Sequence, residues 1–272
     1  MSDLQGKSQK AIRLGTHGED YGSWMSNPVF YMVGGLTALA ALLAVLSFAV
    51  FHIFALGILF VIIVAGLLAL LGWITWIRRQ YAFDGGRIME RVHQTILSHM
   101  DYDGKGTLLD VGCGSGALSI RAALTWQETK VVGIDYWAAV YNYSQALCEK
   151  NAASEGAGDR CTFCRGDANK LDFPDGSFDA VVSNYVYHNI TGADKQQLLL
   201  ETLRVLKKGG VFALNDEMKP GMYGDMEAFA QKLRDMGYEE VRLIDTAKEV
   251  FGSHRRAAMM MLGESRMLVG RK

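Results

Sequence analysis

The sequence predicts an α/β domain, a mostly parallel sheet with helices on both faces, preceded by two transmembrane helices. Two observations carry this. Residues 29 to 77 contain no Asp, Glu, Lys or Arg, so all 28 basic and 29 acidic side chains lie elsewhere in the 272-residue chain. From residue 78 onward, short apolar runs alternate with stretches of helical periodicity, the pattern of a parallel sheet covered by helices. The 50% apolar content therefore averages two regions of different character. Three prolines and 30 glycines exclude a collagen-like or disordered chain. A net charge of −1 supplies no basic surplus, and no nucleic-acid partner is expected.

The uncharged run comes first. A hydrocarbon core about 30 Å thick takes roughly 20 apolar residues as helix, and as a single helix this run would reach about 74 Å. Two passes fit, at 30–50 and 56–77, with a turn near residues 52–57. His52 is the one ionisable side chain in the run and belongs at the far interface, where a solvated imidazole is expected rather than a proton relay. The run is too long for a signal peptide and follows a segment containing Asp3, Glu19 and Asp20. Lys7, Lys10 and Arg13 precede it, and Arg78, Arg79, Arg87 and Arg91 follow it. Basic residues collect on the cytoplasmic side, which places both termini there. Trp24, Tyr31, Trp73 and Trp76 form an aromatic belt at that interface. Gly34, Ala38, Ala65 and Ala69 are candidates for close helix approach. The domains are then a cytoplasmic juxtamembrane segment (1–28), a transmembrane hairpin (29–77) and a globular domain (78–272). The segment around Gly18, Ser23, Trp24 and Met25 reads as a juxtamembrane anchor, with a lid over the site as the alternative.

In the globular domain, Ile88, Val92, Ile96 and Met100 recur at helical spacing and define an entry helix over 86–100. Seven strand-like runs follow at 107–111, 130–135, 161–165, 178–183, 211–215, 240–244 and 266–270. Helices are expected at 117–126, 137–153, 194–206 and 222–236. The stretch 248–262 is ambiguous, and its Met259–Met260–Met261 run suits either the core or an edge.

The first strand runs into Asp110-Val-Gly112-Cys-Gly114-Ser-Gly116 and then a helix. Such a junction offers free backbone N–H groups and the positive end of a helix dipole, while the glycines let a ligand approach closely. A dinucleotide site wants G-x-G-x-x-G. Here the third glycine arrives one residue early, and Asp110 stands two before the first. Asp135 ends the second strand, 23 residues past Gly112. Asp167-Ala168 follows the third, Phe173-Pro-Asp-Gly-Ser-Phe-Asp179 leads into the fourth, and Leu203-Arg-Val-Leu-Lys-Lys-Gly-Gly210 opens the fifth.

This ordered set, over about residues 105–216, resembles the class I S-adenosylmethionine-dependent methyltransferases of the small-molecule and lipid-methylating kind (type 11/25-like). Lys208 stands where that family usually has proline. The resemblance implies a Rossmann-like seven-stranded sheet and S-adenosyl-L-methionine as cofactor. Its site would use Asp110, Gly112, Gly114 and Gly116 in the loop, Asp135 at the ribose, Asp167 and Ala168 near the adenine, and Asn184 beside the methyl group. Bland readings stand beside these: Asp110 as a strand-end carboxylate, Asp167 as a helix cap, and Gly209-Gly210 as a structural turn.

After the fourth strand, Asn184-Tyr185-Val186-Tyr187-His188 faces the expected methyl position. His188 is the candidate base, since imidazole changes charge near neutral pH; packing or substrate orientation is the alternative. Tyr185 and Tyr187 are expected to line the pocket, and Asp216 and Glu217 to meet polar groups of the substrate. The amino-methyltransferase tetrad N-P-P-Y is absent, which weakens a base or glutamine amine as acceptor. Cys161 and Cys164 form C-x-x-C without a second pair, so no metal site is expected. Four cysteines in a cytoplasm-facing domain are expected to be reduced.

The expected protein is an integral membrane methyltransferase acting on a lipophilic small molecule, lipid or quinone-like, drawn from the bilayer. A thiol or metalloid methyltransferase and a catalytically silent cofactor-binding module remain alternatives. No feature of the sequence sets the acceptor atom or the oligomeric state.

Overall fold

A computed structural model describes residues 13–17, 19–22, 27–138 and 143–272. Lys7, Lys10, Gly18, Ser23, Trp24 and Met25 lie outside the described residues. Two compact units emerge, one holding the hairpin through Arg87 and the other holding residues 13–21, 88–138 and 143–272.

The hairpin unit consists of α1 (Asn27–Ala49) and α2 (Phe54–Tyr81), 23 and 28 residues long. Both are long and apolar enough to cross a membrane, at about 35 and 42 Å. The first starts before its expected span and ends one residue short of it, and the second exceeds its span at both ends. Pro28 opens α1, a position where its missing N–H costs nothing. At the other end α2 continues through Arg78, whose guanidinium donates to Asn27 Oδ1 at 2.8 Å and stacks over the Phe30 ring. The turn falls at residues 50–53, earlier than expected, with His52 in the left-handed region at φ 55°. Gly57 lies inside α2 instead of the turn. A Cβ there would sit 2.6 Å from the Phe48 ring, so its glycine permits close helix approach.

The interhelical seam is built from Val33, Ala40, Ala44 and Ser47 against Gly57, Ile74, Ile77 and Tyr81. Half-buried Thr37 on α1 and Phe60, Val64, Leu67 and Leu71 on α2 fill the gaps at three- and four-residue spacing, which makes this a continuous stripe. The expected small contacts are corrected: Ala38, Ala65 and Ala69 face outward, and a Cβ on Gly34 would touch nothing. Leu39, Leu42, Val45, Ile58 and Ile62 are also exposed, an apolar surface much larger than a soluble protein ordinarily leaves in water.

The second unit begins with α3 (Ile88–Ser98), β1 (Lys105–Val111), α4 (Ala117–Thr125), β2 (Glu128–Asp135), α5 (Gln145–Ser154), β3 (Cys161–Arg165) and β4 (Phe178–Asn184). It continues with α6 (Lys195–Arg204), β5 (Leu206–Glu217), α7 (Pro220–Tyr223), α8 (Met226–Asp235), β6 (Glu239–Ile244), α9 (Thr246–Phe251), α10 (His254–Met259) and β7 (Ser265–Arg271). The sheet order is β3-β2-β1-β4-β5-β7-β6, with β7 antiparallel to both neighbours and the other pairings parallel. Strand order therefore reverses between β1 and β4, and a ligand crevice forms at the carboxyl ends of strands on either side of such a switch.

Local chemistry accounts for the boundaries. The helix expected at 137–153 begins only at Gln145, because Ser144 caps it by accepting the Leu147 N–H and Trp137 holds a left-handed conformation at φ 47°. The helix expected at 222–236 is split at Gly224 (φ 66°), and Asp225 then caps α8 by accepting the Ala228 N–H. In β5 the Gly209-Gly210 pair lies within the strand, not at a turn before it. Its register against β4 shifts between Phe178 and Ala180. The ambiguous stretch resolves into α9 and α10, capped by Asp245 and Ser253. Met259 and Met261 are exposed there, in neither core nor sheet edge. Leu109, Val111, Val181, Phe212 and Leu214 form the centre of the core, and so fix the strand ends that carry the site.

Candidate active site

Gly112, Gly114 and Gly116 all take left-handed φ values, 74°, 58° and 84°, which a side chain would resist. The chain consequently turns sharply after β1, and the N–H groups of Gly112 and Cys113 both donate to the Ile134 carbonyl, at 2.8 and 2.9 Å. Gly116 is the N-cap of α4 and brings no capping side chain. Asp135 lies beside the loop: one carboxylate oxygen accepts the Gly114 N–H at 2.9 Å and the other accepts the Trp137 N–H at 2.7 Å. Trp137 Nε1 and the Cys148 thiol in turn donate to the Gly114 carbonyl. The loop is thus held from both sides.

Asp110 is placed differently from the other loop residues. It is buried beneath them and accepts a 2.6 Å hydrogen bond from the Ser119 hydroxyl. Burial, reinforced by the charge of Asp135, pushes its carboxyl up to about 7 despite the Ser119 bond. The folded protein therefore keeps a proton that the unfolded chain gives up near pH 4. Stability associated with this group is full below that pH and is lost as pH rises toward 7, by roughly 4 kcal/mol at most. In Asp110→Asn that loss disappears. The melting temperature of the variant relative to the wild type is expected to climb between pH 4 and pH 7, and a constant difference would refute this assignment.

The segment after β4 closes over the glycine loop, where Val186 lies against Gly112. Asn184 Oδ1 accepts from Asn215, and its amide nitrogen lies 3.3 Å from His93 Nε2. Burial first, and then the Arg121 charge, lower the His93 imidazole to about 3, so it is neutral. Tyr185 adopts a left-handed conformation, φ 57°, and its hydroxyl pairs with Ser265. Burial raises its phenol above the ordinary range, so it stays protonated.

Tyr187 requires a correction. It is fully buried in the core with its hydroxyl on Thr202, so it lines no pocket. Its backbone N–H instead donates to Asp216 Oδ2 at 2.7 Å. Asp216 is buried as well and also accepts the His188 and Glu217 N–H groups. Its Oδ1 lies 2.5 Å from His188 Nδ1. Asp216 therefore acts on His188 and is not available to a substrate, contrary to the sequence expectation. A carboxylate at Nδ1 keeps the proton on that nitrogen and leaves Nε2 as the basic one. Glu217, almost fully buried, accepts the Glu264 N–H through Oε1, and burial raises its carboxyl.

Asp167 is exposed and bends back on its own chain, accepting from the Asn169 N–H and side-chain amide; it caps no helix. Ala168 packs on the core beside it. Cys161 and Cys164 lie on β3, and all four cysteines are free thiols. Burial raises the Cys161 thiol to about 12, so it is protonated and a poor nucleophile.

His93, Trp137 and Asn215 were not legible as site residues. Trp137 carried a local signal, two residues beyond Asp135. The others reach the site from separate elements, and nothing in their spacing announces it.

The strand order, the switch point and the glycine loop define a Rossmann-like cofactor-binding domain of class I type. Residues 109–214 match the family described as a methyltransferase domain. The chain is 30% identical over 151 residues to 27-O-demethylrifamycin SV methyltransferase of Amycolatopsis mediterranei, covering 56% of this chain and 52% of that protein. It is 29% identical over 143 residues to sterol 24-C-methyltransferase of Aspergillus fumigatus, covering 52% of this chain and 36% of the relative. Among solved structures, geranyl diphosphate C-methyltransferase from Streptomyces coelicolor A3(2) shares the fold. Its TM-score is 0.54 at 14% identity, over 68% of this chain and 80% of that one. The chain spans about half the length of the first relative and about a third of the second. Residues 109–214 thus match a methyltransferase domain, and the fold and relatives resemble class I S-adenosylmethionine-dependent methyltransferases.

Proposed function

We propose that this chain is a membrane-anchored methyltransferase that methylates a lipophilic small molecule, lipid or quinone-like, at the cytoplasmic face. The observation that carries this reading is the convergence of three groups at the carboxyl ends of β1, β2 and β5: the left-handed glycine loop, the Asp135 carboxylate and the His188–Asp216 pair. S-adenosylmethionine fits the residues present, since the bare glycine turn admits close approach and Asp135 offers acceptors to ribose hydroxyls.

In this reading Gly112, Gly114 and Gly116 cradle the cofactor, with Asp110 supporting the loop from below through Ser119. Asp135 exchanges one of its backbone bonds for a ribose hydroxyl. Asp167 and Ala168 flank the adenine, and Asn184 borders the methyl position. When bound, the cofactor supplies an electrophilic methyl group on a sulfonium. The protein's share is positioning for an in-line approach and removal of a proton from the acceptor. His188 Nε2 takes that proton, while Asp216 holds the imidazole and stabilises its charged form. Tyr185 borders this base, with ring centroids 6.5 Å apart.

The uncharged hairpin supports anchoring, and its basic flanks support cytoplasmic placement of both ends. Anchoring concentrates a lipophilic acceptor near the site. Tag-free protein in detergent, incubated with methyl-labelled cofactor and membrane extract, is expected to transfer label to the lipid fraction. Cofactor binding without transfer to any acceptor would overturn the reading in favour of a silent module. Asp135→Ala is expected to weaken cofactor binding more than tenfold by calorimetry; unchanged affinity would remove its role.

A further inference from the structure

Residues 13–17 and 19–21 pack against the methyltransferase unit, so the expectation of a plain juxtamembrane anchor is corrected for them. Leu14 and Tyr21 are buried. The Asp20 N–H donates to Asn151 Oδ1, and the Asn151 amide donates to the carbonyls of both Asp20 and Ser115. The Ser115 hydroxyl donates to the Tyr21 carbonyl at 3.1 Å. This strap therefore grips the glycine loop at the residue between Gly114 and Gly116.

Its fastening at the end of α5 is chemically unusual. Glu19 and Glu155 converge there with side chains 0% and 3% exposed. Two carboxylates this dry and this close repel each other unless a cation joins them. Arg121, whose charge reaches Tyr21, is bound to Glu90 at 2.8 Å. Each carboxylate uses one oxygen locally. Glu155 Oε1 accepts the Gly15 N–H and the Tyr21 hydroxyl, and Glu19 Oε2 accepts the His17 N–H. The other oxygens, Glu19 Oε1 and Glu155 Oε2, turn toward His17 Nδ1, at 3.7 and 3.5 Å. Glu19 Oε1 is buried and has no hydrogen-bond partner among the described residues.

We propose that His17, Glu19 and Glu155 form a divalent transition-metal site that clamps the strap over the glycine loop. The three ligand atoms lie within 4.8 Å of one another. Ligands about 2.0–2.2 Å from a tetrahedral ion stand roughly 3.3–3.6 Å apart; the Glu155 distance to His17, 3.5 Å, falls in that range and the Glu19 distance, 3.7 Å, is slightly wider. One imidazole with two carboxylates suits Zn²⁺, Co²⁺ or Mn²⁺ better than Ca²⁺, which prefers an all-oxygen shell. The hydrogen bonds on the opposite carboxylate oxygens orient the ligands, as outer partners do in metal sites. His17 has a 63% exposed side chain, which gives an entry path and room for a water as a further ligand. The Thr16 hydroxyl, 3.3 Å from the same nitrogen, turns aside when the ion binds.

The assignment of the metal site stands independently of the catalytic reading; only its coupling to cofactor affinity rests on that reading. Full-length tag-free protein in detergent is titrated with Co²⁺ and with Zn²⁺. Expected are one ion per chain, a visible Co²⁺ absorption typical of four-coordinate nitrogen and oxygen ligation, and a rise in melting temperature. His17→Ala, a surface change that does not threaten folding, is expected to weaken binding at least tenfold, and Glu19→Gln likewise. Cys161→Ser should leave it unaltered. Absence of binding at about 1 mM ion, wild-type affinity in His17→Ala, or a thiolate-type cobalt spectrum would overturn the proposal. Cofactor affinity measured with and without Zn²⁺ then reads the clamp separately, expected to be several-fold tighter with the ion.

Discussion

His188→Ala is expected to lower kcat by about 10²- to 10⁴-fold, the range over which a positioned general base contributes, while cofactor affinity stays near wild type. The separation follows from geometry. His188 is bound to Asp216 on the β5 side of the crevice, whereas the glycine loop and Asp135, which hold the cofactor in the proposed reading, lie at the β1 and β2 ends. Asp216→Asn should reproduce much of the defect, because the amide nitrogen must replace one oxygen and so oppose either the Tyr187 and His188 N–H groups at Oδ2 or the Glu217 N–H and His188 Nδ1 at Oδ1. Wild-type turnover and an unchanged pH profile in His188→Ala would remove the base from the mechanism.

Gly112→Ala is expected to abolish cofactor binding and to destabilise the domain by roughly 2–5 kcal/mol. A left-handed φ costs a side chain about 1–2 kcal/mol, and forcing a methyl into a filled space costs about 1–3 kcal/mol more. Here the added Cβ would stand 2.2 Å from Val186 Cγ2, 2.5 Å from Cγ1 and 2.9 Å from Cβ, so no rotation of Val186 relieves it. Combining it with Val186→Ala should recover part of the packing cost and none of the backbone cost. Thermal unfolding and calorimetry of the three variants test this. A Gly112→Ala protein with wild-type melting temperature and affinity would show that the loop is not the tight turn described.

The glycine loop, Asp135 and the strand ends were legible because their chemistry is local. A strand, a left-handed turn and a helix start within nine residues leave a recognisable spacing. Asp167 was legible as a loop residue, but its bond to Asn169 needed the folded turn. Tyr187 misled because sequence position after β4 says which end of the sheet a residue occupies and not which way its side chain points. Its burial is set by α6, through Thr202. Asp216 misled for the same reason: its partners Tyr187 and His188 come from a different strand end, brought alongside by β4–β5 pairing.

Residue order alone dictates that an uncharged helical pair precedes an α/β cofactor domain, because hydropathy and periodicity are properties of that order. Folding settles which small residues face each other in the hairpin, which carboxylate supports His188, and where the strap from Leu14 to Tyr21 docks. Those depend on helix rotation, strand register and long-range contacts such as Tyr21 to Glu155, 134 residues apart. No local pattern records such a contact, since its stabilisation arises only when distant segments are brought out of water together.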